Sequence, residues 1–343
     1  MIRSKKTITR HDVAHCAGVS HMTVSRVLNG DVHVKEETRR KVFQACQQLN
    51  YRKNLLASSL RSMRSHALAV VVPTFRHEFY SLLLSAIEEE AGKADYCLIA
   101  SQLNSPDGDP ELCSWDKLAN LCARKVDGIL IDADLSPCVE QRLFQEKIPV
   151  VCINRSSKGN LFDYIGTDYR KDFQMLTESL LINGHRDVAF AGGISSRRES
   201  RECYEGYVDA LQARGLNASP ELYVDCGFSC QDGIQATRKL LASSRSFTAV
   251  VAINDYVAIG LISELSRQGY RVPGDFAVTG HAGETIAQYY VPSITTGVQP
   301  IQQLAAQAMQ RLLYRIQHPD AKDILSLRLP GRLVIRESSG REL

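Results

Sequence analysis

No run of this 343-residue sequence comes near the roughly 18 consecutive apolar residues that a membrane-crossing helix needs, so no membrane partner is expected. The opening segment, MIRSKKTITR, has no apolar signal region, and a cytoplasmic location is the expectation. Ten cysteines are present, but they are scattered singly, with Cys226 and Cys230 the closest pair. Neither C-x-x-C nor a Cys/His metal spacing occurs, so idle or buried thiols are expected, with no metal and no cofactor. Catalytic motifs are missing too. No G-x-G-x-x-G follows a strand, AFAGGISS offers adjacent glycines only, and there is neither a G-x-S-x-G elbow nor a Walker loop, so an enzyme is not expected. The closing IRESSGREL carries no heptads, which argues against a tetramer built through the tail.

What is present is unevenly placed. Residues 1–66 hold thirteen Lys/Arg against four Asp/Glu, net +9, whereas residues 67–343 hold 28 against 34, net −6. One end is suited to phosphate and the other is not. That basic end contains HDVAHCAGVSHMTVSRVLNG (11–30), which reads as two short helices around a glycine turn, with Gly18 free to take a positive φ. Ser20 is placed to cap the second helix, on which Val24, Val27 and Leu28 form an apolar stripe. His21, Met22, Thr23, Ser25 and Arg26 are left facing outward, and Asn29-Gly30 ends the helix. This is the pattern of a helix-turn-helix.

The likeness extends beyond the hairpin. Residues 8–61, ITRHDVAHCAGVSHMTVSRVLNGDVHVKEETRRKVFQACQQLNYRKNLLASSLR, resemble the head and hinge of LacI-family transcription regulators, including the TVSRVLNG core, the V-x-x-x-TR-x-x-V start of a third helix and the closing LNY. The resemblance implies a DNA-binding head over 1–52, with contacts from Thr9, Ser20, His21, Met22, Thr23, Ser25, Arg26 and Asn29. It implies a hinge and linker over 53–66, contacting DNA through Asn54, Ala57 and Leu60, the leucine wedged into the minor groove. Two departures are visible. Arg10 stands where the family has Ile or Leu, so Ile8 is expected to fill that core position, and Lys53 replaces a proline.

From residue 67 short continuous apolar runs alternate with helical stretches. ALAVVVP, YCLIAS, DGILID and PVVCIN form one series, and DVAFAGG, LYVDC, FTAVVAIN and FAVTG a second. Continuous runs predict strands buried on both faces of parallel sheets, hence two doubly wound α/β lobes. HEFYSLLLSAIEEEA, VDGILI, NGHRDVAFAGG, AINDYVAIG, RVPGDFAVTG, PSITTGVQP and LPGRLVIRESS resemble family landmarks, so the likeness covers essentially the whole chain. It implies a periplasmic-binding-protein-like effector and dimerisation domain over 67–343. Lobe one is expected at about 67–165 and 298–325, lobe two at about 166–297 and 326–343. The partners it implies are pseudo-palindromic operator DNA, a small effector and a second copy of the chain. A periplasmic sugar-binding protein, the rival reading, leaves residues 1–66 unexplained.

For the effector, the family commonly uses a carboxylate just after G-[FY] in a late strand and an arginine three residues before G-[YFW] in a second-lobe helix. Ala282 and Cys203 occupy those positions, and Asn154 takes one often held by aspartate. Fewer acids, with Arg155, Arg197, Arg198, Arg201 and His281 nearby, predict an anionic effector gripped chiefly by Arg198. GHAGETIAQYYVPSI and HMTVSR resemble segments of gluconate-operon repressors, which makes a gluconate-like acid the favoured effector. A neutral sugar or a phosphorylated metabolite is the alternative. Phe79 and Tyr80 are expected to stack on the effector, with Asn254 and Asp255 meeting its hydroxyls.

Overall fold

The computed structural model describes residues 8–28, 31, 33–51, 64–102, 110–155, 159–195 and 197–340. Asn29, Asn54, Ala57, Leu60 and nearly all of the expected hinge lie outside the described residues. The chain divides into two compact units, residues 1–65 and 66–343.

The first unit holds three helices, α1 (Arg10–Ala17), α2 (His21–Leu28) and α3 (Glu36–Gln48). A capping box starts α1: the Thr9 hydroxyl accepts from the Asp12 N–H while the Asp12 carboxylate accepts from the Thr9 N–H. Gly18 ends it at φ 65°, so the tight turn into α2 uses the freedom expected of that glycine. Val13, Ala14, Val24, Val27, Val42 and Ala45 close one small core among the three helices. Ile8 is not part of that cluster. The expectation that it would substitute for Arg10 fails because Arg10 needs no substitute: it lies half-buried with its guanidinium 3.4 Å from the Ser25 hydroxyl.

The second unit holds two six-stranded sheets. The first is built from β1 (Ala67–Val72), β2 (Cys97–Gln102), β3 (Gly128–Ile131), β4 (Val150–Ile153), β5 (Asp163–Thr167) and, late in the chain, β11 (Ser326–Leu329). Its order is β11-β5-β4-β3-β1-β2, and every pair is parallel. The second is built from β6 (Val188–Gly192), β7 (Tyr223–Asp225), β8 (Ala249–Ala252), β9 (Ala277–Ala282), β10 (Thr295–Val298) and β12 (Arg332–Val334). It runs β12-β10-β9-β8-β6-β7, with only β12 antiparallel to its neighbour. β1, β3, β4, β6 and β8 are the buried apolar strands that their sequences predict, but β2 is an edge strand and stays partly exposed.

Helices cover both faces. The ones that matter for the site are α4 (Glu78–Lys93) after β1, α5 (Pro110–Ala123) and α6 (Pro137–Gln145) further along the first lobe, α7 (Tyr169–Ile182) and α8 (Arg198–Ala213) flanking β6, α9 (Cys230–Leu241), α10 (Asp255–Arg267) after β8, the short α11 (Thr285–Tyr289) after β9, and α12 (Ile301–Gln317), which returns to the first lobe. The chain therefore passes between lobes after β5, after β10 and between β11 and β12. Residues 326–329, expected in the second lobe, belong to the first: β11 pairs with β5, Ser326 opposite Tyr164. In each sheet the strand order reverses beside the first strand, between β1 and β3 and between β6 and β8. Such reversals open a crevice at the strands' carboxyl ends.

Candidate functional site

On α2 the Ser20 hydroxyl accepts from the Thr23 N–H at 3.1 Å and shares a 2.8 Å hydrogen bond with the Thr23 hydroxyl, which fixes the helix start. Val24 and Val27 face the core, and Ser25 holds Arg10. The exposed front is left to His21, Met22 and Arg26. His21 stacks on His11 with ring centroids 5.0 Å apart, Met22 is 60% exposed, and Arg26 lies 3.9 Å from Asp31. Thr9, Ser20 and Thr23 are thus partly engaged in capping, whereas Met22 and Arg26 stay exposed, Arg26 beside Asp31.

The two crevices of the second unit share one cleft of about 300 Å³. The first lobe supplies Phe79 and Tyr80 from the first turn of α4, and Asp132, Asn154 and Arg155 from the ends of β3 and β4. From the second come Arg197, Glu199 and Cys203 around the start of α8, with Phe228, Asn254, His281, Ala282 and Glu284. The structure brings together Phe79, Tyr80, Asn154, Arg155, Arg197, Asn254 and His281 as the sequence predicts.

Several of these side chains are already committed. Asn154 donates to Asp132 at 3.4 Å and accepts from the Thr167 N–H at 2.9 Å. Asn254 caps α10 through the Val257 N–H at 2.8 Å and donates to the Phe228 carbonyl at 2.9 Å. His281 holds Asp172 through Nε2 at 3.0 Å, and the other oxygen of Asp172 accepts from the Gly331 N–H, between β11 and β12. Arg155 sits among three carboxylates: Asp132 at 3.5 Å, Asp134 at 2.9 Å and Glu199, across the cleft, at 3.3 Å. Arg197 is less tightly held, 3.9 Å from Asp134 and 5.4 Å from the Phe228 ring centroid.

Three expected residues lie elsewhere. Arg198 turns to Glu202 at 2.8 Å and over the Tyr164 ring, away from the cleft lining. Arg201 borders a separate hollow with Ser195 and Tyr204. Asp255 is buried outside the lining, and its Oδ2 accepts from the Gly283 and Glu284 N–H groups at 2.9 and 2.8 Å. Its role is to shape a turn.

The reading of an acid-poor cleft also fails. Asp132, Glu199 and Glu284 line it, and none was singled out from the sequence. Asp132 follows directly on β3, at the crevice that the strand order predicts, so its place was discoverable. Glu284 follows the residues compared with the family pattern by only two positions. Burial pushes the Asp132 carboxyl up to about 7 against the pull of Arg155. It pushes Glu284 up to about 8, with the nearby Glu78 carboxylate adding to the effect.

Comparison with known proteins agrees with both units. The profile for "Bacterial regulatory proteins, lacI family" matches residues 9–54, and that for "Periplasmic binding protein-like domain" matches 177–339. Catabolite control protein A of Priestia megaterium is 30% identical over 97% of this chain and 99% of its own. The probable HTH-type transcriptional repressor ExuR of Bacillus subtilis is 29% identical, covering 92% and 93%. Among solved structures, the Lac repressor dimer bound to operator and the anti-inducer ONPF superposes with a TM-score of 0.85 at 27% identity, over 98% of this chain and 100% of that one. Among the described residues no helix is long and apolar enough to cross a membrane.

Proposed function

This chain belongs to the LacI family of DNA-binding transcription regulators, and on that premise we propose that it is a homodimeric repressor whose hold on a pseudo-palindromic operator is set by a neutral, hydroxyl-rich effector of sugar type in the interlobe cleft. DNA is read from the front of α2 by His21, Met22 and Arg26, with Thr9, Ser20, Thr23 and Ser25 positioning the head on the backbone. Asn29, Asn54, Ala57 and Leu60 complete the contact as the family resemblance implies.

One observation carries the effector reading: the cleft has spent its donors and kept its acceptors. Arg155 is surrounded by carboxylates, Asp132 Oδ1 among them at 3.5 Å, and Glu284 adds a further carboxyl to the lining from the other lobe. A ligand hydroxyl donating to a carboxyl at such a lining gains about 0.5–1.5 kcal/mol net. Phe79 and Phe228 offer aromatic surface for the apolar face of a ring. An added carboxylate would have to displace Asp132 or Glu199 from Arg155. The second reading, a gluconate-like acid, has Arg197 in its favour, the cleft cation with the loosest partner.

Thermal-shift measurements on the full chain with D-glucose, D-galactose, D-ribose and cellobiose, against D-gluconate and glucose 6-phosphate, test the choice. A ligand at a hundred times its Kd adds about 2.7 kcal/mol to the folded state. The expected result is stabilisation by a neutral sugar and not by the acids. Stabilisation by the acids alone overturns it.

A further inference from the structure

Arg10 and His11 open α1, and both meet α2 across the turn. The Arg10 guanidinium donates to the Ser25 hydroxyl at 3.4 Å, and the His11 ring stacks on His21 with centroids 5.0 Å and planes 10° apart. His21 and Ser25 stand at i and i+4, so they share one row of α2. The first turn of α1 therefore runs along that row, beside the exposed Met22 and Arg26. These contacts lie outside the small core, which closes through Val13, Ala14, Val24, Val27, Val42 and Ala45.

The Arg10 guanidinium has N–H groups to spare. Of its five donors one reaches Ser25, in a bond longer than the usual range of about 2.7–3.2 Å. Among the described residues no carboxylate pairs with Arg10, whereas Arg26 has Asp31 at 3.9 Å and Arg39 has Glu36 at 3.8 Å. Asp12, the acid of the same turn, is turned to Thr9, accepting from its N–H at 2.8 Å and from its hydroxyl at 2.6 Å. A half-buried charge loses part of its hydration, and without a counter-charge in the fold the compensation is left to a group outside the chain.

The place of Arg10 beside α2 says which group that is. A helix that reads base edges in a major groove about 12 Å wide has a phosphate backbone on either flank. A guanidinium pairs with phosphate oxygens as a planar fork. We propose that Arg10 is a further DNA-binding residue: steadied by the Ser25 hydroxyl, its guanidinium pairs with a backbone phosphate on the flank of the groove that α2 enters. The Ile or Leu that the family has at this position supplies no charge, so this chain adds one cation to each head. The inference rests on α2 as the reading helix, which the operator selectivity of Arg26→Ala tests separately.

Fluorescence anisotropy of a labelled, scrambled duplex of about 30 base pairs, titrated with the full chain between about 50 and 200 mM KCl, provides the test, because each phosphate paired steepens the fall of affinity with salt. In a plot of log affinity against log salt, Arg10→Leu and Arg10→Gln are expected to give slopes shallower than the wild type's by about 0.9 for each head, and Arg10→Lys an unchanged one, all three variants melting as the wild type does. With two heads engaged, the affinity that the wild type loses across this range exceeds the loss in either neutral variant by about tenfold. Arg10→Gln keeps a donor for Ser25, so a shallower slope in it reports the lost charge and not a lost contact between helices. A wild-type slope in both neutral variants overturns the inference. So does a loss confined to operator DNA with the scrambled duplex bound as before, which would make Arg10 a reader of bases.

Discussion

Arg198 turns its guanidinium onto Glu202 while Arg155, set among Asp132, Asp134 and Glu199, stays in the cleft. Nearness in sequence could not place Arg198, because each step along an α-helix swings a side chain about 100° around the axis. Glu199, Ser200 and Cys203 share the face of α8 turned to the cleft, and Arg198 and Arg201 fall beside it. The identity of an arginine is written in the sequence, but its partner depends on long-range packing such as that of Arg328, on β11, against Glu202 at 2.8 Å. Arg26 is a simpler case: α2 has one dry face and one exposed face, and its 3.6-residue period alone told them apart. Arg26→Ala should therefore lose about 1–3 kcal/mol of discrimination for each base contact removed, while the affinity for scrambled duplex, which rests on the surrounding positive charge, changes far less. Gel-shift titrations against operator and scrambled DNA measure both. Equal selectivity in wild type and variant would mean that α2 does not read bases through this residue.

At the scale of elements, continuous apolar runs located β1, β3, β4, β6, β8 and β9, whose burial leaves little choice of residue. β5, β10, β11 and β12 were not read as strands. They are three to five residues long, and each carries a polar Thr or Arg side chain, so neither length nor period marks them. Their pairing is decided by strands far away in sequence, which is why β11 was assigned to the wrong lobe. Helix contacts were equally silent. Where α9 meets α10, Gly233 and Gly260 bring the two backbones together, and a Cβ on Gly260 would lie 2.1 Å from the Cys230 carbonyl oxygen. That neighbour is main chain and cannot swing aside. Gly260→Ala should force the helices apart at about 1–3 kcal/mol, an overpacking cost outweighing the alanine's better helix propensity. Urea denaturation followed by circular dichroism reads it; an unchanged midpoint would show that α10 can shift at no cost.

At the scale of the whole molecule, the charge split between residues 1–66 and 67–343 and the landmarks along both lobes made the two-part organisation readable before any coordinates. The cleft's chemistry was not readable in the same way, because it arises from strand ends of both sheets that meet only after both are wound. Its acids were missed, and the expected anion partner points elsewhere. The account's central claim is that occupancy of this cleft controls the hold of the head on DNA. Coupling between two such sites is commonly worth about 1–3 kcal/mol, or about 5–150-fold in affinity. The direct measurement is fluorescence anisotropy of labelled operator, selected from random duplexes, titrated with the full chain with and without a saturating concentration of the sugar that raises its melting temperature. The account predicts a shift of operator affinity within that range with that sugar, and none with a sugar that leaves the melting temperature unchanged. A sugar that saturates the wild-type cleft and leaves its operator affinity unchanged would contradict it.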